Sequence, residues 1–150
     1  MRVLILAAST LCVLAIAQPV RAQTKPTPVI PADWLPALAP SIRSSLERLR
    51  EANSQAEMNR LSREVADMTD AQLFIAYVRL YETLGPKERA ALLAEQTKWL
   101  QAREKAAQDG VESKGGSLAA LEANSAAVTF SENRLAELRD RLKAAQKKTK

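Results

Sequence analysis

From Ser41 to Leu84 the chain contains neither glycine nor proline. So long a stretch, rich in Ala, Leu, Glu, Arg and Gln, points to helix, because these side chains lose little rotamer freedom there. Ile42, Leu46 and Leu49 recur at helical spacing, and Met58, Leu61, Val65 and Met68 do so again out of phase with the first set. The change of phase falls at "NSQAE", where Ser54 and Glu57 have the spacing of a capping box. This predicts either two short helices or one helix with a shifted face. Thr69 and Gln72 repeat the start signal, predicting that a further helix opens with "DAQLFIAYVRLYETL". Leu73, Phe74, Ile75, Tyr77, Val78, Leu80, Tyr81 and Leu84 surround that helix almost completely, so it should be the most buried element. Gly85-Pro86 should end it, the glycine in a left-handed cap and the proline opening the next helix.

The next helix is expected from about Pro86 to Gln108, with Leu92, Leu93, Gln96, Trp99, Leu100, Arg103 and Ala107 along one stripe. Asp109-Gly110 ends it, and "GVESKGGS" reads as a loop. Ser117 then caps a final helix reaching about Lys147, with Leu121, Val128, Leu135 and Leu142 at intervals of seven and Leu118 and Leu138 widening the face. Sevenfold spacing suits an antiparallel bundle or a coiled-coil seam. With no strand pattern in the sequence, the expected fold class is all-α: a small antiparallel bundle of about four helices.

Ahead of the helical region lie two segments of different character. Residues 1–22 carry Arg2, an apolar run from Val3 to about Ala17, and the small-residue site Val20-Arg21-Ala22, which together read as a signal peptide cleaved after Ala22. Ala15-Ile16-Ala17 offers a second site. The run is short for a membrane span, which needs about 20 residues. Leu11 precedes the single cysteine, Cys12, where a lipoprotein signal wants a small residue. Residues 23–40 hold five of the seven prolines and form an extended leader, whose Trp34 and Leu35, with Leu38, can tuck onto the domain. The expected organisation is signal peptide 1–22, leader 23–40, helical domain 41–147 and basic tail 148–150, with export to the periplasm.

Removal of residues 1–22 takes away Cys12, and the chain contains no histidine. Zinc, haem and Ser-His chemistry therefore lack their usual ligands and bases, and no disulfide can form. No glycine-rich phosphate loop follows a strand and no serine sits in a nucleophile elbow, so the chain reads as a non-enzyme without cofactor or metal. The formal charge of +5 falls to +3 once Arg2 and Arg21 are removed. Much of the excess lies in "RDRLKAAQKKTK", where six cations face only Asp140. Such an end is either a solvated helix terminus suited to the helix dipole or a contact for an anionic envelope surface. Export argues against nucleic acid as a partner.

The decapeptide "EQTKWLQARE" places Gln96, Trp99 and Arg103 on one edge of a helix. They either hydrogen-bond carbonyls at a helix end or loop while Trp99 fills the core, or border a groove for a partner. "LLAEQTKWLQAREKAAQ", "GGS" and "SENRLAEL" together resemble the small periplasmic domain of LprI-type lysozyme inhibitors. The resemblance spans about Leu73 to Leu142 and rests on Leu93, Gln96, Trp99, Arg103, Gly115, Gly116, Ser117, Ser131, Arg134, Glu137 and Leu138, with Tyr81 where the family often has a tyrosine. It implies a paired cysteine at or near Ala107 and Ala126, and both are alanine here. Loss of such a bridge removes roughly 2–4 kcal/mol unless packing compensates.

What the resemblance implies is an exported binding protein that inhibits lysozyme-like hydrolases, with a protein partner in the envelope. Tyr81, Gln96, Trp99, Arg103 and Arg134 are then a polar-aromatic spine, and Lys114, Gly115, Gly116 and Ser117 a contact loop. The alternatives are a structural or chaperone-like module binding a partner helix, and attachment to anionic envelope lipid through the tail.

Overall fold

The computed structural model describes residues 38–113 and 115–148. The signal-peptide reading, most of the leader, Lys114 and the last two residues lie outside the described residues. Four helices follow one another: α1 (Leu38–Glu51), α2 (Gln55–Thr83), α3 (Pro86–Asp109) and α4 (Ala119–Lys148). The described residues contain no strand, and the domain is an all-α bundle. No described helix is long and apolar enough to cross a membrane.

α1 begins three residues before Ser41, with Pro40 in its first turn, where a helix has no use for the missing N–H. The phase change at "NSQAE" separates two helices. Ser54 caps α2 from an extended backbone, its hydroxyl accepting from the Glu57 N–H at 3.2 Å. The predicted break at Thr69 does not occur, and α2 runs unbroken through it. Thr69 is buried in mid-helix, and its hydroxyl donates to the Val65 carbonyl at 2.9 Å instead of capping a new helix.

The left-handed cap expected of Gly85 is also absent. Gly85 has φ −75° and serves as the N-cap of α3, its N–H donating to the Glu88 carboxylate at 3.0 Å, with Pro86 in the first helical position. The end of α2 is closed from the far side of the turn. Arg89 donates to the Tyr81 and Glu82 carbonyls at 3.0 and 3.3 Å, a cation at the negative end of the helix dipole.

α1 packs on α2, α2 on α4, and α4 on α3. Consecutive helices alternate in direction, so α2 and α4 lie side by side in parallel. Ser62 meets Asn124 and Asp70 meets Ser131 along that seam. The core is Leu73, Ala76, Leu80, Leu92, Leu135 and Leu138, edged by Tyr77, Leu84 and Trp99. A second set, Leu61, Val65, Ala66 and Ala127, continues it along α2 and α4.

α2 contributes most to this core, yet it is not buried all round, since Phe74 is 61% exposed. The α3 stripe likewise divides: Leu92 is fully buried, whereas Leu93 and Leu100 are 56% and 54% exposed. Leu118, expected to widen the α4 face, is exposed because the helix starts only at Ala119. Ser117 therefore stands one residue outside the cap position, and its carbonyl accepts from the Asn59 side chain of α2 at 2.8 Å.

Candidate functional site

The polar residues of α3 turn inward across the bundle. Arg103 donates from Nε to the Ser131 hydroxyl at 2.9 Å and from Nη2 to Asp70 Oδ2 at 2.6 Å. The Ser131 hydroxyl donates in turn to Asp70 Oδ1 at 2.9 Å, closing a ring that joins α2, α3 and α4. Its hydroxyl can be acceptor and donor at once, which suits a serine that is fully buried.

One turn along, Arg134 of α4 is only 7% exposed. Its Nε donates to Gln96 at 3.2 Å and its Nη1 to both oxygens of Glu137 at 2.8 and 2.7 Å. Nη2 is buried without a hydrogen bond, 3.6 Å from the Glu95 carboxylate. Glu95 is in turn held at 2.6 Å by Arg141, which also reaches Glu137 at 3.3 Å. The hydrogen bond from Arg141, opposed by partial burial, holds the Glu95 carboxyl below the usual glutamate range.

Gln96, Trp99, Arg103 and Arg134 thus meet along one seam. The partners of Arg103 and Gln96, however, are side chains of α2 and α4, not helix-end carbonyls. Arg103 donates to Asp70 and Ser131, and Gln96 accepts from Arg134, because α4 runs the length of α3 and brings Ser131 and Arg134 into register. Trp99 completes the seam by stacking on Phe130, with ring centroids 5.8 Å apart and planes at 27°. Tyr81 does not join it. That ring is more than a third exposed beneath the Arg89 guanidinium, 4.9 Å from its centroid. Tyr77 takes the inner place, and burial pushes its hydroxyl pKa up.

The cations at the start of "RDRLKAAQKKTK", within α4, are likewise more engaged than their sequence suggests. Arg139 donates to Gln72, Arg141 pairs with Glu95 and Glu137, and Lys143 pairs with Asp140.

The glycine loop lies beyond the other end of α3. Gly115 and Gly116 have φ of +90° and +104°, which L side chains rarely adopt, and both are exposed with Ser117. The loop is tied down on either side. Glu122 accepts from the Glu112 N–H at 3.1 Å, the Ser113 N–H at 3.0 Å and the Ser113 hydroxyl at 2.7 Å. The Ser113 hydroxyl bond, then its N–H, holds the Glu122 carboxyl below its ordinary value. At the other side Asn59 holds the Ser117 carbonyl. Before the loop, Gly110 approaches α4 so closely that a Cβ there would stand 2.5 Å from Ala126 Cβ.

Where α2 and α3 face each other away from α4, a groove of about 310 Å³ remains open. Phe74, Tyr77, Leu93, Trp99 and Leu100 line it, and the Asp70–Arg103 pair closes one end. Spacing alone did not reveal it, because Phe74, Leu93 and Leu100 sit on stripes that read as core. The partnership of Asp70 was missed for a different reason: 33 residues separate it from Arg103. Among the described residues, no group of three acidic, histidine or cysteine side chains is placed to hold a metal ion.

Parallel α2 and α4, an antiparallel α3 and a seam closed by two arginines define a small all-α domain, with an apolar groove left open between α2 and α3. The model of the family described as "Lysozyme inhibitor LprI" matches residues 47–138, and the chain belongs to that family. The match begins in α1 and takes in all of α2, a wider span than the motifs from Leu73 onward. Neither a curated protein nor a solved structure matches the chain.

Proposed function

We propose that this chain is an exported, non-catalytic binding protein of the periplasm that inhibits a lysozyme-like hydrolase by direct contact. Membership of a family named for lysozyme inhibition supports the activity. The observation that carries the binding face is the exposure of Phe74, Leu93 and Leu100 side by side on a domain whose polar seam is otherwise closed. Contiguous exposed apolar side chains mark protein contact sites. Gly115, Gly116 and Ser117 supply a second contact, with Lys114 between them and α3 in sequence. The loop is held at both ends by Glu122 and Asn59, so it can enter a cleft without a covalent bridge.

The test follows cell-wall lysis by a panel of lysozymes in the presence of the purified protein. Inhibition that Phe74→Ser with Leu100→Ser abolishes, at unchanged helicity, is the expected result. Undiminished lysis at large molar excess of the parent protein removes the inhibitor reading.

A second reading, a chaperone-like module that docks a partner helix, is favoured by the shape of the same groove. Its walls are two antiparallel helices whose lining residues recur at three- and four-residue intervals and are mostly apolar, which suits the apolar face of an amphipathic helix. Under that reading the groove variant loses envelope partners while lysozyme is indifferent to both proteins.

A further inference from the structure

α1 is the most amphipathic of the four helices, yet the only residue it buries is Ser45, whose hydroxyl donates to Glu64 at 2.7 Å. Ile42, Leu46 and Leu49 remain only half-covered. On the side facing α4 this leaves a second groove of about 420 Å³, floored by Ile42, Leu46 and Leu135 and rimmed by Arg43, Arg139 and Glu132. Pockets of this volume hold drug-sized ligands, so there is room for an aromatic side chain. Two guanidiniums face one carboxylate across the opening. Arg43 has no acidic partner among the described residues, and Arg139 donates to the neutral Gln72 amide at 3.2 Å. The groove is therefore apolar below and short of negative charge at its rim.

We infer that the groove between α1 and α4 is the docking site of this chain's own leader, residues 33–36, with Trp34 and Leu35 on the apolar floor and the Asp33 carboxylate between Arg43 and Arg139. Three observations converge on that occupant. The first is position: the leader joins α1 at Leu38, and the groove starts at Ala39 in the first turn. The second is reach. Trp34 is four residues from Leu38, so a leader turned back where it joins α1 reaches at most about 13 Å at roughly 3.3 Å per residue. Ala39 to Leu46 spans about 10 Å of α1 at 1.5 Å per residue. The third is charge. Asp33 is the sole acidic residue in the first 37, and it stands beside the leader's only aromatic residue. Docking covers the apolar stripe that α2 alone leaves open and supplies the missing negative charge.

The chain as purified from the producing cell, labelled with 5-fluorotryptophan, tests this by fluorine NMR. It has two tryptophans, Trp34 and Trp99, and Trp34→Phe assigns the signals. The expected Trp34 signal is displaced from that of a peptide of residues 28–37, with a several-fold smaller solvent isotope shift. Arg43→Glu with Arg139→Glu should return it to the peptide position, and adding Asp33→Lys should displace it again. Both arginines are exposed, so these variants keep the fold, and the Trp99 signal reports whether they do. A Trp34 signal at the peptide position in the parent protein overturns the contact. Displacement that grows with protein concentration also overturns it, by assigning the groove to a second copy. Charge reversal that leaves Trp34 displaced removes Asp33 and the arginines as the pairing.

Discussion

Replacing Gly110 by alanine tests whether the approach of α3 to α4 is as close as the geometry states. The residue has φ −76°, ordinary for any amino acid, so alanine meets no backbone strain there. Its added carbon would stand 2.5 Å from Ala126 Cβ and 3.1 Å from the Ala106 carbonyl oxygen, where carbon atoms pack best at about 3.5–4.0 Å. Neither obstacle can swing aside, since one is the first carbon of its side chain and the other is backbone.

Overpacking of this kind costs about 1–3 kcal/mol, against about 0.4–1 kcal/mol gained from stiffening the unfolded chain. The net expectation for Gly110→Ala is a loss of about 1–2 kcal/mol, read as a lower urea midpoint at unchanged slope. Ala126→Gly alone should cost about 1 kcal/mol of helix propensity. Combined with Gly110→Ala it removes the clashing carbon, so the double variant should lose clearly less than the two single losses added, a coupling of at least about 0.5 kcal/mol. Gly110→Ala as stable as the parent, or strict additivity of the pair, would refute the close approach.

Three further outcomes follow from the polar seam and the loop. Ser131→Ala takes one partner from Arg103 and one from Asp70, which stay paired with each other and partly exposed, so it should cost about 0.5–1.5 kcal/mol in a denaturation series. Glu95→Gln with Glu137→Gln leaves the buried Arg134 guanidinium without a counter-charge. Both carboxylates are about half-exposed, so the loss should be about 2 kcal/mol, less than a fully enclosed pair would show. The Glu95 carboxyl has its pKa lowered in the folded protein, so its contribution is present above the ordinary glutamate value of about 4.3 and fades as the pH falls through the lowered one. Glu122 follows the same sign. Glu122→Gln should therefore flatten the acid limb of the stability curve and speed amide exchange at Glu112 and Ser113 at neutral pH.

The helices were legible because their signals are local. A run free of glycine and proline, a serine three residues before a glutamate, and a proline after a glycine each act within one turn. Thr69 misled because its hydroxyl has two uses, capping a new helix or bonding back to the carbonyl four residues earlier, and burial by neighbouring helices decides between them. Gly85 misled similarly: a glycine between two helices serves as the end of one or the start of the other, and the Glu88 carboxylate settles it.

The seam was half legible. Gln96, Trp99, Arg103 and Arg134 stand out as polar or aromatic groups on apolar stripes, but the carboxylate that answers Arg103 lies on α2, beyond any local pattern. The groove could not be read at all. Leu93 and Leu100 repeat at seven as core leucines do, and only the placement of α4 on the opposite side leaves them uncovered.

The attachment of α3 has a mechanical corollary. Leu92 is its one fully enclosed residue, and Arg103, Gln96 and Glu95 tether the remainder to α4 by directional polar bonds. Long charged side chains swivel and re-form such tethers, whereas interdigitated aliphatics resist any tilt. The inclination of α3 should therefore yield more readily than the α2–α4 seam, pivoting about the close Gly110–Ala126 approach, so that the gap between its outer leucines and Phe74 widens or narrows around its occupant.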